Sequence, residues 1–411
     1  NFYAHHFGVD ISIVNNDKGN VSMQPTSSMF ALIDYEDPTF ESMGSDPVVY
    51  KNTAPINGTV DYDFVVLQLK IVFTNSKIYN YNSYLALTVN KLFGEKIDAS
   101  NRANLIVLTG TYENNNGVPS YAFTNTSDNV LNPVNTNIIT DIEFIKTAFV
   151  TVVSQNDVTS DTVNAKFSFW GFINYNDLEG FDLFSFGTEP ESTTNNFRGL
   201  SYSNMYVDLT FQLETPTTKT FVFDISQMSF DVGQSTPRKD SLYSHFPLQL
   251  SGITNGDATN SPTSQSYLNV AIPSLQQQQS VSGQWYALVF NLNMGTLGSL
   301  ASSAGFTSTF MMAWCVGAKG AWAGVKLPGV NPQAPSFSLQ GVLKLNIGSI
   351  MLQKATGTAT TAYLMKINNI ALEVFSLSFP PGGNICFMLF GNPAANAKPE
   401  SLGWYGSYVK S

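Results

Sequence analysis

Five carboxylate residues fall close together near the start of the chain. Ca²⁺ requires hard oxygen ligands, taking about six to eight oxygen atoms from carboxylates, carbonyls and water. The Pro, Gly and Ser residues around them favour a loop, although the spacing does not follow the pattern of an EF-hand. The sequence therefore predicts either a calcium site or a solvated acidic loop, formed by Asp34, Glu36, Asp37, Glu41 and Asp46.

Two tryptophans are candidates for a different site, in which an aromatic ring stacks on a sugar. An indole offers a broad apolar surface with one polar N–H group. Trp322 lies among small residues, in Gly-Ala-Trp-Ala-Gly, and Trp404 lies near the C-terminal end. We expect an exposed ring at Trp322, and a glycan-binding role if Trp322 or Trp404 lines a shallow groove.

The residue types and motifs of the chain give little support for a catalytic function. The chain has three histidines, and it lacks a Gly-x-Ser-x-Gly elbow, a His-Glu-x-x-His motif, a Cys-x-x-Cys pair and a Walker loop. Folding could bring together the two carboxylates of a glycosidase, but no sequence feature favours this. We expect a protein that is not an enzyme.

The two cysteines leave two alternatives open. Cys315 and Cys386 both lie in strongly apolar runs, Trp-Cys-Val and Ile-Cys-Phe. Free cysteine behaves as a small hydrophobic side chain in such surroundings. The pair could equally form a disulfide, so neither the redox state nor the compartment follows from the spacing.

Composition excludes several classes of protein. Charged residues make up only 12% of the 411 residues, against about 25% in an ordinary soluble domain. Hydrophobic residues reach 43% and the formal net charge is −10, which excludes a disordered chain and disfavours nucleic acid as a partner. No run of 18 consecutive apolar residues is present, so we expect no transmembrane helix.

Charge is divided unevenly along the chain. Residues 1–214 carry 24 acidic and 10 basic side chains, whereas residues 215–411 carry 6 and 10. Opposite charge is effective where two surfaces meet. An acidic front half and a mildly basic back half therefore predict head-to-tail contact between copies, unless the low charge of the second half merely reflects a larger core.

Strand periodicity dominates the sequence. Apolar residues alternate over residues 63–74 and again over 79–90, with Asn75-Ser76 supplying a turn between them. Similar runs recur to the end of the chain, while helical patterns are short, as at residues 137–146. We expect an all-β fold of long antiparallel strands, in one extended sheet or two packed sheets, with very little helix.

The same pass along the chain divides it into three parts. Residues 1–60 form an N-terminal segment that could contact neighbouring molecules, residues 61–250 a β-rich unit, and residues 251–411 a second unit continuous with the first. The chain begins Asn-Phe-Tyr without an initiator Met, so we expect a processed or excised piece of a longer precursor.

Several segments over roughly residues 61–408 resemble a known region of other proteins. They include Phe181–Gly187, Gly199–Met205, Phe379–Gly383 and Leu402–Tyr405. They are similar to a β-rich domain at the C-terminal end of very large, uncharacterised bacterial proteins, a family of unknown function. The resemblance implies an extended β-rich region of a giant secreted or cell-surface protein, and it assigns no catalytic residue.

Together these observations predict a structural subunit or segment of a secreted or cell-surface assembly, with adhesion as a further role. Its partners would be copies of itself or other segments of a larger polypeptide, and surface glycans would be additional ligands. The alternatives are a lectin-like module and a lipid-carrying β-groove, which would show an apolar trough open to solvent. No cofactor is expected apart from Ca²⁺.

Overall fold

The structure is a computed structural model of the chain. It describes residues 2–11, 14–15, 21–22, 27–36, 61–74, 77–98, 106–115, 118–125, 129–135, 138–150, 162–176, 199–212, 219–235, 238, 241–246, 248–273, 281–292, 308–316, 320–327, 330–331, 334–339, 343–354, 363–374, 377–379, 383–390 and 403–410.

The first part of the chain forms an antiparallel sheet and two small hairpins. Its strands are β1 (Phe2–Ile11), β2 (Val14–Asn15), β3 (Val21–Ser22), β4 (Ser27–Glu36), β5 (Tyr62–Thr74), β6 (Lys77–Val89), β7 (Lys91–Leu92), β8 (Glu95–Lys96), β9 (Ile106–Asn115) and β10 (Val118–Asn125). The described strands of the sheet lie in the order β1-β4-β5-β6-β9-β10. The hairpins are β2–β3 and β7–β8.

The second sheet follows in the middle of the chain and is also antiparallel. Its strands are β11 (Asn129–Leu131), β12 (Ile139–Val150), β13 (Thr162–Tyr175), β14 (Leu200–Gln212), β15 (Lys219–Asp224) and β16 (Ser229–Phe230). The spatial order is β11-β12-β13-β14-β15, and β16 also pairs with β14. In β12, and in β14 from Met205 to Asp208, buried side chains alternate with less buried ones, whereas β13 is buried over most of its described length.

The third sheet takes up the rest of the chain. Its strands are β17 (Leu248–Gly256), β18 (Leu268–Ala271), β19 (Trp285–Leu292), β20 (Ser308–Cys315), β21 (Ala321–Lys326), β22 (Val330–Asn331), β23 (Ala334–Leu339), β24 (Leu343–Asn346), β25 (Ser349–Lys354), β26 (Tyr363–Val374), β27 (Leu377–Phe379), β28 (Gly383–Phe390) and β29 (Gly403–Lys410). The main order is β17-β19-β20-β21-β18-β25-β26-β24-β23-β22. β26 also pairs with β27 and β28, and β28 pairs with β29. Among the described strands, the β18–β25 pair is the only parallel one.

The apolar faces of the first two sheets pack against each other. Phe123 of β10 contacts Phe167 of β13 edge-on at 5.6 Å, and Tyr62 of β5 contacts Phe223 of β15 at 4.8 Å. At one side a hydrogen bond links the two sheets, from the Asn125 side chain of β10 to the Phe144 carbonyl of β12. One continuous core cluster runs from these sheets into the third.

Strands make up most of the described residues, which confirms the all-β prediction. Helix in this part of the chain is limited to α1 (Leu242–His245) and to 3-10 turns at Val232–Gln234 and Ala258–Asn260. None of the described helical segments has the length and apolar character needed to cross a bilayer.

One local expectation differs from the structure. Residues 137–146, expected as a short helix, supply most of β12, because the buried Ile142 and Phe144 alternate with Asp141 and Glu143. The N-terminal segment contributes β1 and β4, which lie in the same sheet as β5.

Candidate functional site

Trp322 does not present an exposed ring, so this prediction is wrong. Its side chain is 5% exposed and packs with Trp285, Tyr267 and Met311 in a small core cluster. A side chain at Gly324 would collide with the Trp322 ring, which shows that the ring folds back over its own strand. The small neighbours make room for a buried indole instead of exposing it.

The structure describes the other tryptophan candidate and the two cysteines only in part. Trp404 belongs to β29, and its side chain lies outside the described residues. Cys315, at the end of β20, is half-buried. Cys386 lies in β28, and its side chain is likewise outside the described part.

The structure describes two of the five predicted calcium ligands. Asp34 lies in β4, directly between Tyr3 of β1 and Lys70 of β5, so it is a strand residue and not a loop residue. Glu36 ends the same strand. Asp37, Glu41 and Asp46 lie outside the described residues. In the described part of the chain, no three His, Cys, Asp or Glu residues are grouped so that they could hold a metal ion.

A polar cluster that the sequence did not reveal lies on the second sheet. Asp141 and Glu143 occupy alternate positions of β12, and Asn174 of β13 is the direct cross-strand partner of Asp141. The Asn174 amide nitrogen donates to the Asp141 carboxylate at 2.5 Å and, at 3.4 Å, to Glu143. One buried amide, 4% exposed, therefore joins two carboxyl groups.

The surroundings of this cluster hold its backbone in place. Asn174 is flanked by Gly199, where a Cβ atom would collide with the amide oxygen. The Tyr202 hydroxyl donates to the Glu143 carbonyl at 2.9 Å, and Gly171 leaves the space that this carbonyl needs. Burial raises the pKa of the Asp141 carboxyl, while the hydrogen bond from Asn174 acts against this shift.

A second buried carboxyl group lies in the β7–β8 hairpin. Glu95 is 4% exposed and accepts hydrogen bonds from the backbone N–H groups of Ile138 and Ile139. Burial raises the pKa of Glu95 to about 7, although these hydrogen bonds oppose the shift. Glu95 is therefore half protonated near neutral pH.

The same hairpin connects all three sheets. The Phe93 carbonyl accepts a 2.9 Å hydrogen bond from the indole nitrogen of Trp314 in β20. Phe93 also meets Tyr286 of β19 edge-on at 6.2 Å, and Trp314 meets Tyr175 of β13 at 6.2 Å. The hairpin is thus a structural junction, and its buried groups contact residues of the neighbouring sheets.

A groove of about 260 Å³ opens where β18 and β25 run parallel. Its lining is mixed, with Leu268, Ala271, Ile347 and Ile350 beside Asn269 and Ser349. No carboxylate or histidine is among its lining residues, so the groove brings together neither acid–base nor metal-binding groups.

The outermost strands offer a surface of another kind. β1 pairs with β4 and with no other described strand, and β29 pairs only with β28 among the described strands. An outer strand presents a row of backbone N–H and C=O groups that can pair with another chain. These two rows are therefore potential binding surfaces for another strand.

Comparison of the chain with protein-family models, with curated proteins and with solved structures gives no match in any of the three. The resemblance to the C-terminal region of giant bacterial proteins therefore stays a prediction.

Proposed function

We propose that this protein is a structural subunit of a secreted or cell-surface assembly, in which copies join through the outer strands of their sheets. The observation that carries the proposal is the position of the first and last described strands. Among the described strands, β1 and β29 are each outermost in a broad sheet and both are long, with ten and eight residues.

The composition of these strands supports the proposal. Monomeric proteins protect outer strands by keeping them short, or by placing Lys or Pro on them. β1 contains neither Lys nor Pro, and β29 contains one Lys at its last position. A register shift between Ala4 and His6 interrupts β1 once, which leaves regular backbone from His6 to Ile11.

One other outer strand in the described part of the chain is covered, which gives an internal comparison. β10 is the outer strand on the opposite side of the first sheet, but it lies against β12, where the Asn125 side chain donates a hydrogen bond to the Phe144 carbonyl. The fold thus covers this edge internally, and an intermolecular contact is the corresponding solution for β1 and β29.

The described residues favour this role over the two alternatives. A lectin-like function loses its best candidate ring, because Trp322 is buried. A lipid-carrying groove requires an open apolar trough, whereas the apolar faces of the first two sheets pack on each other through contacts such as Phe123–Phe167. A cell-surface location agrees with a composition that is rich in polar residues but poor in charged ones.

The proposal is tested by the molar mass of the full chain in solution. Size-exclusion chromatography with light scattering, over about a hundredfold range of concentration and at low and high salt, should show species larger than the monomer. The fraction of these species should rise with concentration, as mass action requires. A monomer under every condition would overturn the proposal.

A further inference from the structure

We infer that the assembly contact is heterologous: β1 of one copy pairs with β29 of the next. This inference rests on the proposed function and names its partner, a second copy of the same chain. The two strands come from opposite ends of the sequence and from different sheets. A contact between them therefore joins unlike surfaces of the two copies.

Charge distinguishes this contact from the symmetric alternatives. β1 belongs to the half of the chain with 24 acidic and 10 basic residues, and β29 to the half with 6 and 10. A β1–β1 contact would bring two acidic halves together, and a β29–β29 contact two basic ones. Complementary potentials steer association and disfavour like pairs, so the mixed contact is preferred.

The backbone of each strand can support such a pair. β29 offers eight residues, and β1 offers six in the regular stretch after its register shift. Main-chain hydrogen bonds provide the affinity in this mode of recognition, called β-augmentation. Because the contact is head-to-tail, each added copy exposes a new β1 or β29, and the product is a ring or a filament.

β17 is another long outer strand, and it serves as the control. It pairs only with β19 among the described strands, and it contains no charged residue. A register shift between Leu250 and Gly252 interrupts it. The inference assigns no intermolecular contact to this strand.

The experiment uses proline to remove single backbone donors. Successive N–H groups of a strand point to opposite edges, so one member of each adjacent pair points outward. The pairs are Gly8→Pro and Val9→Pro in β1, Tyr405→Pro and Gly406→Pro in β29, and Ile253→Pro and Thr254→Pro in β17. In each pair, the variant that keeps the circular dichroism spectrum and melting temperature of the parent is the outward one, and it is used for light scattering.

The β1 variant and the β29 variant that lack an outward N–H group should each be monomeric when studied alone. In either case, one of the two strands that form the contact lacks a hydrogen-bond donor. Mixed in equal amounts they should form dimers, because the intact β29 of one meets the intact β1 of the other. The β17 variant should assemble as the parent does.

Other outcomes overturn the inference in distinguishable ways. Dimers of the β29 variant alone would indicate a β1–β1 contact, and dimers of the β1 variant alone a β29–β29 contact. Unchanged assembly by both variants would move the contact elsewhere while leaving the proposed function in place. A monomeric parent chain would remove both.

Discussion

The indole nitrogen of Trp314 donates a 2.9 Å hydrogen bond to the carbonyl oxygen of Phe93, a residue 221 positions earlier in the chain. Both groups are buried, and the bond joins the β7–β8 hairpin to the third sheet. A buried carbonyl that loses its donor keeps its full desolvation cost. The Phe93 carbonyl therefore depends on a single ring nitrogen for this hydrogen bond, and the contribution of the bond to stability can be measured.

Replacing Trp314 with Phe should lower the free energy of unfolding by about 2–4 kcal/mol, through the unpaired Phe93 carbonyl and the smaller ring. The measurement is urea unfolding followed by fluorescence and circular dichroism. Trp285→Phe is the matched control, because the Trp285 indole nitrogen bonds to the Asp257 carbonyl at 3.2 Å in an only partly buried setting. Equal losses for the two variants would show that the Phe93 bond has no special role.

Gly94→Ala should destabilise the protein more than Gly283→Ala. Both glycines have a positive φ, +81° and +82°, so alanine is strained at either place by about 1–2 kcal/mol. At Gly94 the new methyl would also lie 3.1 Å from Val316 and 3.2 Å from Tyr286, whereas nothing lies within 4 Å at Gly283. Thermal unfolding of both variants isolates the packing contribution, and an equal shift in melting temperature would contradict it.

Glu95 should make the protein less stable as pH rises through neutrality. Its pKa in the folded protein, about 7, lies above the ordinary value of 4.5, so the folded state binds the proton more tightly than the unfolded state. The stabilisation is complete below pH 4.5 and is lost as pH rises through about 7.

The Glu95→Gln variant tests this titration. The variant should show a weaker dependence of its unfolding free energy on pH. The difference in unfolding free energy between variant and parent should rise in favour of the variant by about 1–2 kcal/mol from pH 5 to pH 8. Asp224→Asn is the control with the opposite sign, because a hydrogen bond from Ser226 lowers the Asp224 pKa. Parallel curves for parent and Glu95→Gln would show that Glu95 does not titrate in this range.

Asn174→Ala should destabilise the second sheet, with a cost that grows as pH rises. The variant removes the donor that satisfies Asp141, whose pKa is already raised by burial, so the ionised carboxylate loses its partner. We expect a loss of about 1–3 kcal/mol at pH 7 and less at pH 4. The control variant is Asn368→Ala, which removes an exposed 3.3 Å hydrogen bond to Ser349. It should lower the free energy of unfolding by only about 0.5 kcal/mol at either pH.

The sequence predicts the long strands of the first sheet well. The runs expected at residues 63–74 and 79–90 match β5 and β6 to within a few residues. β12 was harder to predict, because Ile138, Ile139 and Ile142 also fit the spacing of a helix face. Its alternation becomes clear only beyond Ile142.

The candidate sites depended on information that local sequence does not contain. Asp141 and Asn174 lie 33 residues apart, and only the β12–β13 register brings them together. Small neighbours around Trp322 are compatible both with an exposed indole ring and with a closely packed one. The structure shows the packed arrangement, with the ring lying against Gly324. Alternate acidic residues in an otherwise apolar strand were the one available signal for Asp141 and Glu143.

The parallel β18–β25 pair determines when the third sheet can be completed. Strands on either side of it can form from neighbouring segments, but Val270 must wait for Ile350, which is synthesised 80 residues later. Closing such a long loop is entropically costly, so this junction should form after pairings between neighbouring segments, such as β25 with β26. By the same reasoning, amide hydrogens along the β18–β25 pair should exchange before those between β19 and β20, and native-state hydrogen exchange measures this order.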